Sequence, residues 1–258
     1  TYDERGNLLT ETNALNHTTT YTYNALNQVE SITDARNFKT INRYDEFGNL
    51  LETEDARNNV TEYDYYANGL LRTVTDAEEN ETGYTYDAFG QLETLTDAVG
   101  GVTRFSYDNS GNLKTVTTPL GNTTAFGYDG DGNLTRIVDA KGNETEIQYN
   151  AAGDRTAVID ALGHRTSYTY NDRGLLERTQ FADGTAAETA YDALDRVISE
   201  IDQNGNATEF DYDGLGRLVK VTDALNKETD YTYDESGNLS AVEDALGRVT
   251  TYDYDLAN

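Results

Sequence analysis

The sequence predicts an all-β protein, built of 21-residue β-hairpin repeats that form one continuous antiparallel strip coiled into a hollow tube or shell. Three observations predict it. A tyrosine recurs at 2, 23, 44, 65, 86, 107, 128, 149, 170, 191, 212, 233 and 254, always 21 residues apart. Turn-forming residues recur twice within each period. Between the turns run short stretches that alternate between apolar and polar residues. A fixed period of this kind marks one small supersecondary unit stacked on its own copies.

The first turn follows the repeat tyrosine. Its opening residue is Asp in nine of thirteen copies, among them Asp45, Asp87 and Asp129. It is Asn at 24, 150 and 171, and Tyr66 stands alone. Three residues further on comes Gly in ten copies, as in Gly48, Gly90 and Gly111. Asp followed by Gly at that spacing predicts a type I turn closed by a left-handed residue, the three-residue hairpin loop with a Gly bulge. The same grammar returns in Asp34-Ala35-Arg36-Asn37, Asp97-Ala98-Val99-Gly100 and Asp244-Ala245-Leu246-Gly247. Pro119 takes the second place of one such turn, where its fixed φ is favoured.

What remains are strands of about six residues, roughly 20 Å long. The strand that ends in the tyrosine alternates cleanly: Thr82, Tyr84, Tyr86; Thr103, Phe105, Tyr107; Thr229, Tyr231, Tyr233. The strand after the first turn carries apolar residues three apart, as in Leu92 and Leu95 or Leu113 and Val116. A regular strand would put them on opposite faces, so a β-bulge beside the Gly turn is predicted. About 24 such strands at ~4.8 Å would give a ribbon of about 115 Å, which twists and curls rather than staying flat. One face is rich in Tyr, Phe, Leu and Val, and with no helix to cover it the ribbon is expected to turn that face inward. The tyrosine hydroxyls then need partners.

Composition sets the remaining bounds. Net charge is −28, which disfavours nucleic acid and anionic membrane as partners. The acid is spread through the repeats, often at turn positions, rather than massed in a tail. Cys is absent, so there is no thiol chemistry, and no apolar run is long enough for a spanning helix. The 258 residues are expected to be a single uninterrupted array, about 12 repeats of 21 residues, forming an internal segment of a longer protein.

Tyr-Asp-x-x-Gly-x-Leu, trailed by Thr-Asp-Ala-x-Gly and Thr-x-Tyr in strict register over essentially the whole chain, resembles the YD-repeat or RHS-repeat family. The resemblance implies hairpins wound into a spiral strip. In Rhs competition proteins and insecticidal toxin complexes such strips enclose a toxic polypeptide; in teneurins a related shell belongs to an adhesion receptor. This chain differs in carrying no closing segment rich in Pro, Asp and Gly, so self-cleavage has no support.

The departures from the repeat are Arg155 in place of Leu, Asp195 in place of Gly, Thr189 in place of the aromatic, and Phe181 where the second turn's Asp belongs. They read as drift in a tolerant array. His17 and His164 lie seven repeats apart, too far in sequence to suggest a shared metal site. Pairs such as Asp253 and Asp255 would hold calcium only where neighbouring turns converge. No nucleophilic triad, paired-carboxylate site or phosphate loop stands out. The expectation is therefore no catalytic, cofactor-binding or metal-binding residues, no enzymatic activity, and no cofactor apart from the calcium alternative. The expected role is a structural one, outside the cell or at a bacterial cell surface, as a tube, fibre or shell wall. Its partners would be neighbouring repeats or copies of itself. An encapsulating cocoon and a glycan-binding adhesion module are the alternatives.

Overall fold

The computed structural model describes residues 1–254. They form 24 β-strands and no helix. Six-residue and five-residue strands alternate, as in Val102–Tyr107 and Leu113–Thr117, between short first and last strands at Thr10–Thr12 and Val249–Thr251. The chain divides into two units, Thr1–Ala125 and Phe126–Asn258. In each unit consecutive strands pair antiparallel, and elements touch only their neighbours in sequence.

Both turns of the repeat fold the same way. In the first turn after Tyr44, the Gly48 N–H donates to the Asp45 carbonyl at 3.2 Å and the Asp45 N–H donates to the Asn49 carbonyl at 2.9 Å. In the second turn, Gly100 and Asp97 make the first of these bonds at 2.9 Å, and Asp97 and Gly101 the second at 2.9 Å. These are the predicted three-residue loops. The residue before each closing position is left-handed throughout, and where it is not Gly it is usually Asn, as at Asn27, Asn37 and Asn58. Short polar side chains tolerate that region best after glycine.

Two of these positions carry opposite predictions. Gly111 has φ +88°, so Gly111→Val is expected to destabilise its hairpin by about 1 kcal/mol or more. Glu79 holds φ 65° with a full side chain, and Glu79→Gly is expected to stabilise by about 1 kcal/mol. Urea melts of the two variants check the pair; equal midpoints would contradict the turn assignment.

The predicted bulge recurs in both units. Tyr86 faces Leu92 but Thr85 faces Thr94, so Glu93 is the extra residue. The same slip falls between Asp64 and Tyr65 and between Gln148 and Tyr149. It brings Leu92 and Leu95 onto one face with Tyr86 and Tyr84, their cross-strand partners. Ladders on that face pair aromatic with aliphatic residues, Tyr63 with Val74, Phe105 with Val116 and Tyr231 with Val242, or two aliphatics, Ile147 with Val158. Such pairs are the unit of sheet stabilisation.

The opposite face is polar. Hydroxyls pair across strands, Thr22 with Ser31 at 2.8 Å, Thr85 with Thr94 at 2.7 Å and Ser106 with Thr115 at 2.6 Å. Arg43 bridges Glu52 and Glu54, Arg136 holds Glu144 at 2.6 Å, and Lys220 lies between Glu228 and Asp230. Among the described residues only Ala157 and Ser31 are buried, at 0% and 5% exposure. Both are small residues of this polar face. Ala157 sits between Gln148 and Ser167 in the ladders, and Arg165 reaches across to Gln148 at 2.9 Å. Neither unit therefore contains a dry core, and the aromatic rings are half-buried within their own sheet.

The register also carries a constant stagger. Tyr63 faces Val74, which faces Thr82, two residues short of Tyr84, the next repeat's equivalent of Tyr63. In the second unit Ile147 faces Val158, which faces Thr166, two residues short of Tyr168. Two residues per pair of strands is a tilt of about 35°.

Candidate functional surface

The hydroxyl of the repeat tyrosine finds its partner fifteen residues back. Tyr65 donates to the Leu50 carbonyl at 2.9 Å, Tyr107 to Leu92 at 3.0 Å, Tyr191 to Leu176 at 2.9 Å and Tyr233 to Leu218 at 2.8 Å. Each of these carbonyls belongs to the first residue of the preceding five-residue strand. That residue lies past the last rung of the ladder with the tyrosine's strand; for Leu50 the last rung is Glu52 with Glu62. The phenol thus closes a ladder that the bulge cuts short. It lies flat along the sheet to do so, which half-buries the ring and satisfies the hydroxyl together.

Where a turn opens on Asp, its carboxylate is a clamp. Asp45 accepts the N–H of Phe47 at 2.9 Å and of Asn49 at 2.8 Å, and its second oxygen accepts the Asn49 side-chain amide at 2.7 Å. Asp76 with Asn80, Asp139 with Asn143 and Asp202 with Asn206 repeat the arrangement. Arg takes the Asn's place at Arg196, Arg217 and Arg248, and His164 does so against Asp160, with Nδ1 at 2.8 Å from the carboxylate. The Asn after the turn glycine is visible in the sequence, but its role as the clamp's third donor is not legible there.

These donors, the side-chain amide foremost, hold the carboxyls of Asp45, Asp76, Asp139 and Asp202 below the ordinary aspartate value of 3.8. A depressed folded value means stability that is fully present above 3.8 and lost as pH falls through the lower folded values. Acid titration followed by circular dichroism, in high salt to screen the repulsion among the other carboxylates, is expected to show unfolding in that window. Unchanged stability through it would contradict the clamp.

The departures from the repeat are accommodated locally. The Arg155 guanidinium stacks on Tyr168 at 4.6 Å, while its carbonyl still accepts the Tyr170 hydroxyl at 2.9 Å. Asp195 takes φ 64° and pairs with Arg173 of the preceding repeat at 2.7 Å. At Phe181 the clamp is lost, and Asp183 instead accepts the N–H and hydroxyl of Thr185. Thr189 faces Glu200 across the strands. Asn42, a further break in the aromatic row, was not singled out from the sequence. Its amide donates to the Val29 carbonyl at 3.0 Å and its oxygen accepts from Thr53 at 3.0 Å.

Two features face solvent. The third residue of many turns is apolar, and Phe89 and Val99 are 89% and 92% exposed. The row is interrupted by residues such as Arg36, Glu78 and Ser110, so it makes no continuous patch. Open grooves lie between neighbouring turns; one, of about 750 Å³, is lined by Asp129, Asp131, Asn133, Glu146, Gln148 and Tyr149. Asp129 is already engaged with the Asp131 and Asn133 N–H groups at 3.0 and 2.9 Å.

His17 and His164 are each tied into their own turn, the His17 N–H donating to Asn13 at 3.0 Å. Among the described residues no three of His, Cys, Asp and Glu converge as a ligand set. Asp255, one of the calcium alternatives, lies outside the described residues.

Among curated proteins none matches this chain. Solved structures similar to it include the TcdB2-TccC3-Cdc42 complex, at 13% identity and TM-score 0.40 over 94% of this chain and 21% of that one. A Tc holotoxin pore from Photorhabdus luminescens is similar at 14% identity and TM-score 0.36, over 88% of this chain and 18% of that one. The chain thus spans about a fifth of the length of these structures. The model of the RHS Repeat family matches residues 2–38, 65–102, 90–123, 107–144, 149–186, 191–228 and 233–258. Those matches take in most of the sequence, and each contains the turn and tyrosine grammar whose hydrogen bonds are described above: the chain belongs to the RHS repeat family.

Proposed function

We propose that this chain is a non-enzymatic scaffold, an array of RHS repeats that acts outside the cell as the wall of a tube, fibre or shell. The observation that carries this reading is the constant stagger of two residues per repeat, found in each unit. A sheet whose strands are all tilted alike, at about 35°, closes or coils about an axis as barrel strands do. Coiling would turn the half-buried aromatic face inward and leave the charged face to solvent. The turn-opening carboxylates are engaged in closing their own turns, which supports a role without cofactor or catalysis. A surface of net charge −28 suits a protein that stays dispersed in salt water.

Enclosure of a polypeptide is the second reading. It is favoured by the uncovered Tyr and Leu face in each unit, a concave lining of phenols and aliphatics once the strip coils. The Tc toxin assemblies, similar in fold at low identity, are consistent with it. Electron microscopy of the purified chain separates coiled from flat. Curved, open-centred strips of one sheet's thickness are expected, and a flat strip or two sheets packed face to face would overturn the scaffold reading. A polypeptide co-purifying inside closed particles of the full-length protein would favour enclosure.

A further inference from the structure

Tyr66 is the only opening residue of a first turn that is neither Asp nor Asn. Its backbone still closes the turn, the N–H donating to the Leu70 carbonyl at 2.8 Å and the carbonyl accepting from Gly69 at 2.9 Å. The side chain is thereby released from the clamp and crosses to the next repeat. Its hydroxyl donates to the Tyr84 carbonyl at 3.0 Å. Its ring meets the ring of Tyr86 edge-on, with centroids 6.2 Å apart and planes at 85°. Among the described residues these are the only two aromatic rings in contact. Tyr66 is 36% exposed, so one member of the pair is open to a reagent in solution while the other is half-buried behind it.

We propose that Tyr66 and Tyr86 are a site of oxidative cross-linking, joined as dityrosine by a one-electron oxidant of the peroxidase class acting with hydrogen peroxide. Each phenol gives up one electron to the oxidised enzyme and one proton to water. The two phenoxyl radicals then couple through the ring carbons ortho to oxygen. Each ring returns to aromaticity when the hydrogen on its bonded carbon moves to the phenol oxygen. One peroxide is reduced to two waters for each bond formed, and the protein loses two hydrogens. The edge-on contact, with centroids 6.2 Å apart, holds the two rings as neighbours, and reorientation of the exposed Tyr66 ring is what would bring the coupling carbons together. The bond would staple two successive repeats covalently at the turn edge, independently of how the strip coils.

The test treats the purified chain, dilute enough to suppress coupling between molecules, with a peroxidase and hydrogen peroxide. The expected result is dityrosine fluorescence in the monomer fraction. Peptide mapping should find the Tyr66 and Tyr86 peptides joined with a mass loss of two hydrogens. Tyr66→Asp restores the residue most repeats carry and should keep the fold by circular dichroism while losing most of that signal. Tyr212→Phe should leave it intact. Absence of the joined peptides, or an undiminished monomer signal in Tyr66→Asp, would overturn the proposal.

Discussion

Val158→Pro is expected to cost on the order of 3 kcal/mol, the scale of a proline placed inside a hydrogen-bonded element. Val158 is central in the strand Arg155–Ile159, facing Ile147 on one side and Thr166 on the other. Both flanks are paired, so the missing N–H removes a ladder bond on one of them and the ring crowds the strand, which is why proline is confined to sheet edges. In an array that touches only its neighbours the damage stays near the lesion. Hydrogen exchange should therefore speed up most in the strands Glu144–Tyr149 and Arg165–Tyr170 and fade with each further hairpin. Uniform acceleration across the chain would mean that it unfolds as one block.

Tyr65→Ala is expected to cost about 3 kcal/mol, the low end for deleting an aromatic side chain because the ring is only half-buried. Tyr65→Phe is expected to cost about 1 kcal/mol, the net value of the single hydrogen bond to the Leu50 carbonyl. Both would be read from urea unfolding, with the exchange of the Leu50 and Leu71 amides as the local measure. Equal costs for the two variants would place all of the tyrosine's contribution in its hydroxyl. No cost for Phe would mean that the hydroxyl bond is replaced by water without loss.

Much of this architecture was legible from local rules. Asp87 and Gly90 specify their loop through backbone geometry alone, and Leu92 with Leu95 demanded a bulge because strand alternation allows no other way onto one face. The clamp is also local, since Asn49 stands four residues after Asp45, but φ preferences specify the turn without it and leave the donor that follows unmarked. The tyrosines were assigned a face and a need for partners. Their partner was not identifiable, because the carbonyl fifteen residues back is brought within reach only by the register between two paired strands.

By itself the sequence determined the period, the two bends in each repeat, the face each side chain takes and the family to which the repeats belong. All of these follow from interactions within a few residues, and strict spacing copies them along the chain. The tertiary structure alone decided that tyrosines such as Tyr65, Tyr107 and Tyr191 close the ladder of the strand before them, that Asn42 and Arg155 can replace apolar residues by bonding across strands, and that Tyr66 lands against Tyr86. It also decided that two small residues of the polar face, and not the aromatic row, are the buried ones. The physical reason is the same in each case: these contacts depend on the stagger between neighbouring strands, a distance that pairing sets and residue order does not state.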